Sequence, residues 1–277
     1  MLQRIITSIV GIGVLIPILL LSDTYVFPVA IAICTIIALY EMFGCLGCKN
    51  KYAITIPSYI LGAVIPILGK VLGGVDKMYP LLCTIFVLIT MYLFSLAVFA
   101  HKKYTVTDIT SCYFNIVYII AGFSSIVFLK LLYDNFYLLI FIGAWVTDIF
   151  AYFTGKFLGK HKLCETISPK KTIEGSIGGI LFCALSFVIF GLIVARGEAS
   201  KPSFYVVLAV MGIIISIVSQ IGDLSMSLVK RQYGIKDFGK LFPGHGGILD
   251  RFDSIMPVAV VLLILVLVLN SFQIMPN

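Results

Sequence analysis

The sequence is poor in charge. Only 12% of its 277 residues are Asp, Glu, Lys or Arg, about half the share of a soluble domain. Histidine is scarce too, and the three present, His101, His161 and His245, lie in separate polar stretches. A zinc centre needs clustered nitrogen or sulfur donors, so none is expected. Cys45 and Cys48 form a CxxC, but no second pair or suitably spaced histidine accompanies it. The seven cysteines are therefore expected to be ordinary reduced thiols. No GxxxxGK[ST] occurs, which excludes a P-loop. Polar interruptions of apolar runs fall only in the second half, which disfavours a transporter built from repeated broken helices.

What remains is hydrophobic: 60% of the chain. Apolar segments lie near 5–21, 25–46, 54–72, 79–100, 109–132, 135–155, 173–195, 203–229 and 254–270. Each approaches the roughly 20 residues a membrane-spanning helix requires. The first could pass for a signal peptide. It lacks a convincing small-residue cleavage site before Asp23, so it is read as a span. The expected fold is all-α, a polytopic membrane protein of about nine transmembrane helices with a polar cavity facing the cytoplasm. It is read as one membrane domain, with N-terminal spans over 1–134 and a catalytic half over 135–277.

Loop charge sets the expected orientation. With the N-terminus in the cytoplasm, fifteen of the twenty Lys and Arg face inward, and Lys70, Lys77, Lys130, Arg196 and Lys201 face outward. The C-terminus then lies outside. Ser22–Thr24, Gly73–Met78, Tyr133–Asn135 and Gly197–Pro202 become short outer loops. The formal charge of +7 reads as a topology signal and an attraction for anionic lipid or substrate, with no nucleic acid implied.

Ser219–Asp253 concentrates four aspartates and five cationic side chains beside lipid-compatible sequence. Charge there is costly, which makes the stretch a functional-site candidate. Ser216, Ser219, Gln220, Asp223, Ser227 and Lys230 share one helical face. Asp223 lies about 10 Å above Lys230 along that helix. On the sixth span, Trp145, Asp148, Tyr152 and Gly155 follow the same spacing. Two spans thus carry an aspartate at similar depth, either around a shared wet cavity or as structural contacts.

Two polar stretches complete the pattern. Ser168, Lys170, Lys171 and Thr172 stand beside Glu174 and a glycine cluster at the start of the seventh span. Lysines, hydroxyls and a helix N-terminus suit a polyphosphate, although a solvated basic loop would also explain the lysines. Lys236 to Asp253 includes Lys240 and Pro243-Gly244-His245-Gly246-Gly247, which cannot run as helix. His245 suits a general acid, a phosphate donor or a loop hydrogen bond. Asp250 and Asp253 point one way at i and i+3; they favour a helix N-terminus or, with Asp223, a hard oxygen site for magnesium.

The run from Ser227 through Lys230-Arg231, Lys236-Asp237, Gly239, Phe242-Pro243, His245-Gly246-Gly247-Ile248 and Asp250-Arg251-Phe252-Asp253 resembles the phosphatidate cytidylyltransferase (CDP-diacylglycerol synthase) family. Trp145-x-x-Asp148-x-x-Ala151-Tyr152-x-x-Gly155 and Ser168-Pro169-Lys170-Lys171-Thr172-x-Glu174-Gly175 resemble it as well. The likeness covers about 145–257. It implies transfer of the cytidylyl group of CTP to phosphatidic acid, with magnesium and a second cation, divalent or potassium. Asp223 and Asp250 are then expected metal ligands, with Asp253 as a third. Lys230, Arg231, Lys236, Lys240 and Arg251 would handle phosphates, and Ser168, Lys170, Lys171 and Thr172 would meet CTP. Asp148, Glu174, Ser227 and His245 complete the expected substrate contacts. A homodimer is compatible with this reading. A CTP-dependent lipid kinase is the competing enzyme class. A CDP-alcohol phosphotransferase is disfavoured, because its DG-x-x-A-R framework is missing.

Overall fold

The computed structural model describes residues 2–72, 75–194 and 202–272, without the side chains of 2–9, 12 and 75–77. Most of the expected outer loop Gly197–Pro202, with Arg196 and Lys201, lies outside the described residues, as do Gly73 and Gly74 and the side chains of Arg4 and Lys77. Among the described residues are α1 (Leu2–Leu20), α2 (Val26–Cys45), α3 (Tyr52–Leu72), α4 (Val75–Phe99), α5 (Val106–Leu132) and α6 (Leu138–Leu158). There follow β1 (Lys162–Cys164), β2 (Ser168–Thr172), α7 (Ile173–Val194), α8 (Pro202–Gln232), α9 (Leu249–Phe252) and α10 (Ile255–Ser271). Seven of these helices are long and apolar enough to cross a membrane, and α10 is a shorter apolar helix. The chain is a multi-pass membrane protein.

The helices form two compact units, one of Met1–Leu132 with Tyr233–Arg251, the other of Tyr133–Gln232 with Phe252–Asn277. In the first, α2, α3 and α5 pack together, and α4 lies against α3 and α5. Ala38, Leu39, Met42 and Phe43 of α2 are fully buried there. Gly62 of α3 lets Leu39 and Thr35 approach, since a Cβ would come within 2.9 Å of the Leu39 side chain. Close approach through small residues is how helices associate where lipid removes the hydrophobic drive.

Both ends of this unit are pinned by charge. Lys130 at the end of α5 pairs with Asp23 before α2 at 2.9 Å, and Lys70 at the end of α3 donates to the Asp23 carbonyl. At the opposite helix ends, Lys51 pairs with Asp108. The Lys130 ammonium holds the Asp23 carboxyl below its ordinary range.

In the second unit, α6, α7, α8 and α10 pack around one another. The α6–α8 crossing carries a buried bond from Thr147 to the Ser216 hydroxyl at 2.9 Å. Gly212 of α8 lies against the α7 backbone at Ala184, and Gly222 against Pro257 of α10. At 31 residues, α8 is about 46 Å long at 1.5 Å per residue, well beyond a hydrocarbon core of about 30 Å.

The expected all-α character holds, and the polar stretch after α6 adds one short hairpin to it. β1 and β2 form an antiparallel hairpin, with Lys162 opposite Thr172 and Cys164 opposite Ser168. The hairpin docks on α6 and α7. Its pattern is short and polar on both faces, so hydrophobic periodicity could not reveal it.

Candidate active site

The hairpin is tied to α7 by Glu174. Its carboxylate accepts from the backbone N–H of Lys160 at 3.1 Å and of His161 at 3.2 Å. It also meets His161 Nδ1 at 2.6 Å. Thr172, the last strand residue, caps the first turn of α7, accepting from Gly175 N–H at 3.1 Å. Glu174, expected among the substrate contacts, holds the hairpin to α7 through these bonds.

That wall encloses a cavity of about 340 Å³. Asp148, Ser168, Lys170, Lys171 and Thr172 all line it. The sequence pattern had also placed Tyr152, Gly155 and Gln220 on the facing helix sides, and these too line the cavity, joined by Lys156 and Ser176. Gln220 of α8 donates to the Ser176 carbonyl at 3.4 Å, which ties α8 to the first turn of α7.

Lys171 spans from the hairpin to α8, where its ammonium lies 2.5 Å from Asp223 Oδ2. Lys230, two turns further along α8, stands 4.0 Å from Asp253 Oδ2. Asp253 lies between α9 and α10 with its side chain only 13% exposed. Burial, and after it the charges of Asp223 and Asp148, push its carboxyl up to about 7 against the pull of Lys230 and the Ser254 N–H. Three aspartates of this unit therefore share one electrostatic neighbourhood. Ser227 is half-buried on α8, and Arg231 is exposed.

The remaining expected residues belong to the first unit. Lys236, Lys240 and Arg251 are exposed there, and His245 is half-buried. Asp250 is buried, and its Oδ2 accepts from Phe238 N–H at 2.8 Å and Gly247 N–H at 2.9 Å. The Pro243–Gly247 stretch turns sharply, with Gly244 at φ 78° and Gly246 at φ 86°, a region where glycine is the natural residue.

The metal question can be tested on this donor set. Among the described residues, no three His, Cys, Asp or Glu side chains converge closely enough to hold an ion by themselves. Asp223 and Asp253 do supply hard oxygen donors, each with a lysine beside it. Magnesium is commonly held by one or two carboxylates, with substrate phosphates and water completing the shell. The residues fit that mode and do not fit an all-protein cage.

Glu41 is the residue that sequence reasoning passed over. It is buried in α2 and binds the backbone N–H groups of Ile248 and Leu249. The signal was present: Glu41 is the one acidic residue within the apolar run 25–46, and charge in such a run marks function.

A family model described as the cytidylyltransferase family matches residues 2–269. The chain belongs to that family. Relatives agree along nearly its whole length. It is 35% identical over 95% of its residues to a phosphatidate cytidylyltransferase of Staphylococcus aureus (strain COL), covering 98% of that protein. It is 33% identical, with the same coverage of both chains, to a protein of that name from Staphylococcus haemolyticus (strain JCSC1435). In this cytidylyltransferase, likeness therefore extends through the N-terminal helices, beyond the stretch 145–257 where motifs stand out.

Proposed function

We propose that the protein transfers the cytidylyl group of CTP to phosphatidic acid, giving CDP-diacylglycerol and pyrophosphate. One observation carries the reading beyond the family: Lys171 of the cavity wall meets Asp223 of α8 at 2.5 Å. A cation suited to phosphate and a carboxylate suited to magnesium thus stand at one place.

A phosphate oxygen of phosphatidic acid attacks the α-phosphorus of CTP. A new P–O bond forms, and the bond from the α-phosphorus to the bridging oxygen of the β-phosphate breaks. The electron pair leaves with pyrophosphate. The nucleophile is already ionised near neutral pH, so a strong general base is not required. The difficulty is to align two polyanions, which is a task of positioning and charge stabilisation. Lys170 and Lys171 balance the triphosphate in the cavity, and Ser168 and Thr172 donate to its oxygens. Lys230, Arg231, Lys236, Lys240 and Arg251 offset the remaining phosphate charge. Asp223 and Asp253 would hold magnesium, which would supply charge neutralisation at the phosphates.

Seven long spans with α1 and α10 make nine crossings, with the N-terminus and the active site in the cytoplasm and the C-terminus outside. A reporter fused after Asn277 should signal from the outer side; a cytoplasmic signal would overturn that topology. The reaction itself is tested with purified protein, magnesium, phosphatidic acid and CTP labelled at the α- or the γ-phosphate. The α-label should enter lipid with release of pyrophosphate. Lipid labelled only from the γ-position would instead indicate a kinase.

A further inference from the structure

The basic loop from Tyr233 to Ile248 has little structure of its own. Phe242 and Gly246 form an isolated bridge, and Gly234, Gly244 and Gly246 turn through positive φ. Such a segment keeps one shape only where side chains satisfy its backbone donors. Two carboxylates do this. Asp250 closes the loop upon itself through Phe238 and Gly247.

Glu41 holds it from outside. Its Oε1 accepts from Ile248 N–H at 3.1 Å, and its Oε2 from Leu249 N–H at 2.8 Å. These donors open α9, where helical N–H groups lack intrahelical partners. Glu41 is thus a cap delivered from a helix 208 positions away in sequence. The fit is close. A Cβ at Gly239 or Gly247 would stand 2.1 Å from Glu41 Oε1, so the loop backbone wraps the carboxylate directly. The side chain is only 6% exposed. Burying a carboxylate is costly unless its oxygens are well used, and here each oxygen takes a separate N–H.

We propose that Glu41 is a positioning residue for cytidylyl transfer: it fixes the backbone at Ile248 and Leu249, and so the loop that carries Lys240 and His245, in one working shape. The role rests on the reaction proposed above. Glu41 acts through the loop backbone and need not touch substrate.

The test compares wild type, Glu41→Gln and Gly247→Ala in detergent. The Gln amide offers one acceptor oxygen and turns an NH2 toward the other donor. The alanine Cβ displaces the carboxylate without altering its charge. Loss of one buried hydrogen bond should speed deuterium exchange across 236–252 by about tenfold or more. Exchange in α3 and α5 should stay as in wild type. The kcat/KM for CTP should fall by at least about tenfold, with KM for phosphatidate within about twofold. Unchanged loop exchange in both variants would sink the proposal. So would faster exchange spread through α3 and α5, which would signal general loss of fold, or faster loop exchange with normal turnover. A wild-type protein that fails to convert CTP and phosphatidate would overturn the reaction, whereas the exchange pattern would still decide whether Glu41 holds the loop.

Discussion

The ammonium of Lys171, at the end of the β-hairpin, sits 2.5 Å from Asp223 Oδ2 on α8. Both side chains are about three-quarters buried, at 25% and 28% exposed. The contact therefore ties a wall of the cavity to the helix that carries the central carboxylate. Asp223→Asn should insert normally and lose turnover by at least about a hundredfold, the scale for removing a key electrostatic group. Lys171→Ala should raise KM for CTP. The same variant should bind manganese more tightly without nucleotide, because the lysine no longer competes for Asp223. Near-normal turnover in Asp223→Asn, measured by transfer of α-label to lipid, would remove that residue from the site.

Asp253 should make the protein sensitive to pH. Its carboxyl is pushed from an ordinary 3.8 up to about 7. Between those values the folded chain keeps a proton that the unfolded chain has released. Its contribution to stability is therefore complete below about pH 4 and is lost as pH rises through about 7. Asp253→Asn should flatten this slope in thermal unfolding with chelator present. Proton and metal compete for the same oxygens, so manganese affinity in wild type should rise over the same window.

Glu174 governs the hairpin through its bonds to Lys160 and His161. Glu174→Ala frees those backbone donors and should loosen the wall that carries Lys170 and Lys171. The expected result is a severalfold higher KM for CTP with a smaller change in kcat. Initial rates across CTP concentrations decide it; an unchanged KM would make the clasp dispensable.

The α6–α7 crossing depends on Gly175. A Cβ there would come within 2.6 Å of the Ala151 carbonyl oxygen and 3.2 Å of Gly155 Cα. Backbone on two sides leaves little room to yield. Gly175→Ala should cost about 1–3 kcal/mol, the usual range for overpacking, read as a lower thermal midpoint in detergent. Gly13→Ala makes a control, because its Cβ would meet nothing within 4 Å.

Much of this protein follows from sequence alone. Long apolar runs can satisfy their backbone in lipid only as helices, so α2 through α8 were legible from length and hydropathy. Asp148, Asp223 and the lysines of 168–172 stood out because charge beside lipid is costly. Their helical spacing placed Gln220 and Tyr152 on the faces that line the cavity. Tertiary structure decided how partners were assigned. It gave Glu174 to His161, Lys171 to Asp223, and Lys230 to Asp253. It also gave Ile248 and Leu249 to Glu41. Helical period and local turn chemistry act over a few residues. An unpaired N–H or a buried charge takes whatever partner the folded chain brings within about 3 Å, and sequence distance does not limit that choice.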